Sequence, residues 1–126
     1  MRLYTNLEQS IKLAEILPLD SADMYWSRCT ITDFGDGKLK VSYSVEPCNI
    51  SQTKHTDEDI PCWSLGRLFD LIQINCRIEK TMLDQSGIFL YDISTEDNDF
   101  RTHTQEELID ACIEFILELE KRDLLF

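Results

Sequence analysis

The sequence predicts an α+β fold: a mostly antiparallel sheet of about four strands in the order α-β-β-α-β-β-α, with the helices packed on the sheet. Three observations predict it. Apolar residues recur at helical spacing in three separate segments, two of them behind capping boxes. Between them lies a stretch that alternates strictly between apolar and polar residues, as a half-buried strand does. Glycine-bearing turns join the strand segments in pairs.

The first helix starts where Thr5 and Glu8 match a capping box, each side chain placed to satisfy the other's backbone N–H. Leu7, Ile11 and Ala14 follow at helical spacing, Leu17 lies one turn beyond Leu13, and Pro18 ends the run. After the turn Asp20-Ser21-Ala22-Asp23, residues 24–34 read as a strand. Asp33-Phe34-Gly35-Asp36-Gly37 supplies two glycines able to take positive φ, a hairpin signal. In the return strand Leu39, Val41, Tyr43 and Val45 alternate with Lys38, Lys40, Ser42, Ser44 and Glu46 until Pro47. Residues 47–60 are polar and aperiodic, so they read as a loop. Ser64 is placed to cap a short helix with Leu65, Leu68, Phe69 and Ile72 on one face. Residues 74–80 and 87–93 then read as a hairpin closed around Asp84-Gln85-Ser86-Gly87. A second acidic loop runs over 94–103. The last helix begins at a Thr104/Glu107 capping box and carries a core stripe of Leu108, Cys112, Phe115, Ile116 and Leu119, widened by Ile109 and Ile113. Glu106 and Glu107 sit at its positive end and Lys121 and Arg122 at its negative end, as the macrodipole favours.

The 126 residues, 43% of them hydrophobic, fit one domain over 1–126 that buries a core without metal or disulfide support. A net charge of −12 repels phosphate backbones and anionic headgroups, which argues against direct nucleic-acid binding and against a membrane surface. The five cysteines, Cys29, Cys48, Cys62, Cys76 and Cys112, are odd in number and widely spaced, unlike a secreted disulfide framework. With no signal-like apolar run at the start, the expected location is the reducing cytoplasm.

Three stretches carry a resemblance: Ser21-Ala22-Asp23-Met24, Pro61-Cys62-Trp63-Ser64-Leu65-Gly66-Arg67-Leu68 and Leu108-Ile109-Asp110-Ala111-Cys112-Ile113. In that order they resemble small uncharacterised proteins of Bacteroides-type gut bacteria, often encoded in prophage or other mobile-element neighbourhoods. The resemblance implies a cytoplasmic, phage-associated origin and no particular chemistry.

Four constellations deserve a chemical reading beside a structural one. Cys62 precedes Trp63 at a helix start, where backbone N–H groups lower a thiol's pKa. His103 would then serve as base and Asp99 or Asn98 as its orienter, giving a cysteine hydrolase; core packing of the thiol is the structural alternative. Cys48, His55 and Cys62 recur every seven residues, with Cys76 beyond, but zinc sites use ligand pairs two to four residues apart. Glu96-Asp97-Asn98-Asp99 and Asp57-Glu58-Asp59 have the ligand types of a calcium loop without its alternating positions, so solvated surface is the plain reading. Glu107, Asp110, Glu114 and Glu118 form one acidic stripe on the last helix. The segment 94–126 holds ten acidic and three basic side chains, net −7, as a DNA mimic would need; an ordinary solvated face is the alternative.

No cofactor motif is present, and no metal or cofactor is expected. The leading expectation is a non-enzymatic accessory or adaptor protein acting through protein–protein contacts, with an unknown partner or a second copy of itself. Its expected contact surface is Trp26, Trp63, Leu124, Leu125 and Phe126. An acidic DNA-mimic inhibitor and a Cys62-based hydrolase are the alternatives.

Overall fold

A computed structural model describes residues 2–32, 39–47, 59–83 and 87–125, excluding the side chains of 28–32, 39–42 and 83. Its elements are α1 (Leu7–Ala14), a single 3-10 turn (Leu19–Ser21), β1 (Met24–Thr32), β2 (Leu39–Pro47), β3 (Ile60–Cys62), α2 (Leu65–Leu71), β4 (Cys76–Leu83), β5 (Ile88–Thr95) and α3 (Leu108–Lys121). The class is α+β, as expected, but the antiparallel strands form two small sheets instead of one. The added strand is β3, which falls where the sequence reads as loop and helix start. Backbone pairing to β1 recruits it without any periodicity of its own, Met24 opposite Cys62 and Trp26 opposite Ile60.

The chain divides into two compact units, Thr5–Ser64 and a second comprising Met1–Tyr4 with Leu65–Phe126. In the first, β2, β1 and β3 form a sheet in that order, with Trp26 opposite Val45 across β1 and β2. The turn expected over 33–37 lies outside the described residues. Helix α1 packs beside β3. Its capping box is Asn6 with Gln9, one residue later than expected: the Gln9 N–H donates to Asn6 Oδ1 at 2.7 Å and the Asn6 N–H to Gln9 Oε1 at 3.0 Å. Thr5 is unavailable as a cap because it is wholly buried, its backbone N–H donating to the Trp63 carbonyl at 3.0 Å. The buried face of α1 is accordingly Ser10 and Leu13, and Ile11 is exposed.

In the second unit β4 and β5 form the expected hairpin, with Leu83 opposite Ile88 and Gly87 at φ +77°, a conformation that favours glycine. Residues 84–86 of that turn lie outside the described residues. An extended segment over 100–105 runs along the far edge of β5 through isolated bridges: Tyr91 and Gln105 exchange backbone hydrogen bonds at 2.7 and 2.8 Å, and the Thr102 N–H donates to the Ile93 carbonyl at 2.9 Å. This pairing holds residue 105 extended, so α3 begins at Leu108 behind Glu107 and the expected Thr104 cap is not used. The α3 stripe Ile109, Cys112, Phe115, Ile116 and Leu119 is buried together with Ile93 and Leu68. No helix among the described residues is long and apolar enough to cross a membrane.

Candidate functional site

A hollow of the second unit has a volume of about 490 Å³ and lies where the end of β5, the acidic turn behind it and the end of α3 meet. Local chain geometry builds each wall. After Thr95 the chain turns sharply, the Asn98 N–H donating to the Thr95 carbonyl at 3.0 Å with Asn98 at φ 59°, a region that asparagine tolerates better than most residues. The turn presents Glu96, Asp97 and Asp99 along one rim. It then returns to β5 through the Phe100 carbonyl, which accepts from the Thr95 N–H at 2.9 Å.

The opposite wall comes from the end of α3. Asp123, at φ 59°, reverses the chain; its N–H donates to the Glu120 carbonyl at 3.1 Å and the Leu124 N–H to the Leu119 carbonyl at 2.8 Å. This is the Schellman arrangement, which brings the residue after the reversal against the last helical turn. Leu119, Leu124, Phe100 and Ile74 thereby supply the apolar part of the hollow. Leu119 is buried and Leu124 half exposed, 49%. The Arg122 guanidinium lies 5.2 Å from the Phe100 ring, donates to Glu118 Oε1 at 3.0 Å and approaches Asp99 at 3.6 Å. Its charge is thus already balanced, and the rim stays negative.

Asp97 holds the rim anionic. Its carboxyl is depressed below the usual carboxylate range, chiefly by a hydrogen bond from the Thr95 side chain and also by the Asp99 N–H. The hollow's lining holds three carboxylates and no thiol or imidazole. Its physical capability is to seat an apolar side chain that carries a positive charge nearby.

The other sequence candidates fall elsewhere. Cys62 lies in β3, not at the start of α2, and is wholly buried. Burial pushes its thiol up, only partly offset by hydrogen bonds from Thr5 and Ser10, the opposite of an activated nucleophile. Its proposed base, His103, is exposed and bonded to Glu114, Nδ1 to Oε1 at 2.5 Å, and Asp99 faces Arg122. The residues of the expected hydrolase are therefore engaged separately. Cys48 and His55 lie outside the described residues. Among the described residues, no group of three or more histidines, cysteines and carboxylates is placed to hold a metal ion.

Trp63 is a correction to the expected contact surface. The ring is wholly buried and its Nε1–H donates to the Ser21 hydroxyl at 3.0 Å, so it belongs to the core. Trp26 is half-buried, its Nε1–H donating to Ser10 Oγ at 3.1 Å. Leu125 is buried as well, leaving Leu124 as the exposed member of the described tail; Phe126 lies outside the described residues. The acidic stripe of α3 is partnered throughout. Glu107 accepts from the Arg2 backbone N–H at 3.0 Å, Asp110 pairs with the Arg2 guanidinium, Glu114 with His103 and Glu118 with Arg122.

Sequence reasoning named Asp99 and Leu124 for unrelated reasons and did not bring them together. It gave Arg122 only a helix-end role and missed Phe100. The available signal was a single aromatic residue, Phe100, standing between Asp99 and Arg101 in an otherwise polar loop. Set against family models, curated proteins and solved structures, the chain matches none.

Proposed function

We propose that the chain is a non-enzymatic accessory or adaptor protein whose cleft at Leu119, Leu124 and Phe100 receives a segment of a partner protein. The observation that carries the reading is the pairing of an apolar floor with a rim of Glu96, Asp97 and Asp99. Such a site favours a peptide that places a leucine-like side chain next to lysine or arginine. The apolar contact supplies most of the affinity, and the rim supplies orientation and on-rate.

The reading is tested by selection from a displayed random-peptide library against the full chain. Enriched peptides combine an apolar residue with adjacent basic ones, bind less tightly as salt rises, and lose affinity at least about ten-fold on Leu124→Ser and on Asp97→Lys. Enrichment of nothing, or of peptides indifferent to both substitutions, removes the proposal.

A further inference from the structure

Strand β4 carries an edge that no main chain among the described residues covers, and its residues are exposed along most of its length. The direction of its backbone groups follows from β5. Tyr91 and Thr95 direct their N–H groups to the extended segment over 100–105, so in an antiparallel ladder the alternate residues Leu90, Asp92 and Ser94 bond to β4. Their partners there are Thr81, Glu79 and Arg77. Cys76, Ile78, Lys80 and Met82 therefore turn their N–H and C=O groups outward, a ready template for another strand.

The side chains narrow what that strand is. Ile78 is 45% exposed in the middle of the edge. Lys80, a charge that commonly blunts an edge, is instead drawn onto the Phe89 ring, 4.0 Å from its centroid. Arg77 has no carboxylate partner among the described residues, whereas Glu79 is held by Arg101 at 2.6 Å on the same sheet face.

We propose that β4 pairs antiparallel with β4 of a second copy, across a two-fold axis through Ile78. In that register Ile78 meets Ile78, Cys76 meets Lys80, and each Arg77 lies opposite the Glu79 of the other copy. Cross-strand pairs of opposite charge stabilise a sheet and like pairs destabilise it. The neighbouring symmetric registers oppose Arg77 to Arg77 or Glu79 to Glu79, and the one centred on Lys80 opposes Lys80 to itself. Only the Ile78 register matches unlike charges twice and hides the exposed isoleucine. It also extends a row of alternating charge, Asp92, Arg101, Glu79 and the incoming Arg77. The proposal concerns a different surface from the cleft and does not depend on it. A short edge buries less than the roughly 1,200 Å² of a standard interface, so association is reversible and concentration-dependent.

The test is sedimentation of the full chain from micromolar to millimolar concentration, beside Arg77→Glu and Ile78→Pro. Proline removes an outward N–H that β5 does not use, and Arg77→Glu leaves the backbone alone. Circular dichroism verifies that both variants fold. The expected result is a monomer–dimer equilibrium whose dissociation constant rises at least about ten-fold in each variant, with Ile78→Cys cross-linking to itself under mild oxidation. A chain monomeric throughout overturns the proposal. So does a dimer that both variants leave unchanged, or one in which Ile78→Cys forms no symmetric disulfide.

Discussion

The Arg101 guanidinium holds Asp92 on the hairpin, Nε to Oδ2 at 2.5 Å, while its Nη2 reaches Glu79 at 2.6 Å. Asp92 is buried and Arg101 is half exposed. Removing the cation leaves a buried carboxyl group without its charged partner. Arg101→Met is expected to cost about 1.5–3 kcal/mol in urea unfolding. Adding Asp92→Asn should recover part of that loss. If the double variant is no more stable than Arg101→Met alone, the two residues are not coupled.

The core of the Thr5–Ser64 unit contains a polar knot. Ser10 Oγ lies 2.6 Å from Thr5 Oγ1 and accepts from Trp26 Nε1 at 3.1 Å. Ser10→Ala removes the acceptor but not the donors, so it should cost about 1–3 kcal/mol despite the small change in volume. Trp26 fluorescence should shift in the same variant as its indole N–H loses that partner.

Among the described residues one buried hydroxyl has no partner: Ser94 Oγ on β5. Its desolvation is uncompensated, and replacing it with a methyl group relieves that penalty. Ser94→Ala should raise stability by about 1 kcal/mol. A loss of stability would mean that the hydroxyl makes a bond in solution.

Asp123 adopts the left-handed conformation at the end of α3, where glycine has no steric cost, and its negative charge opposes the helix dipole there. Asp123→Gly should therefore stabilise the chain by about 0.5–1 kcal/mol. Thermal melts of the variant provide the check.

Alkaline pH should weaken the fold. Burial raises the thiols of Cys62, Cys76 and Cys112, the last to about 12, from an ordinary value of 9.0. Each folded value lies above the unfolded one, so this contribution is fully present below about pH 9 and falls as pH rises toward the folded values. The decline approaches about 1.4 kcal/mol per pH unit for each thiol still protonated only in the folded state. Denaturation midpoints across pH 8 to 11 measure it, and iodoacetamide should label Cys62 and Cys112 only as fast as the chain opens. Rapid labelling of Cys62 at neutral pH would contradict its burial.

The class, the three helices, β1, β2 and the β4–β5 hairpin were legible in the sequence because periodicity and turn chemistry act over a few residues. The α3 stripe is the clearest instance: its apolar spacing needs no knowledge of what packs on it. Three decisions needed the tertiary structure. Backbone pairing made a strand of Ile60–Cys62 and buried the thiol that a helix start would have activated. Contacts with Arg2, His103 and Arg122 partnered an acidic stripe that charge counting leaves bare. The reversal at Asp123 set Leu124 beside the acidic turn behind β5. Local sequence fixes which conformations are cheap for each segment; which distant groups meet depends on how the segments pack, and the cleft is made of such meetings.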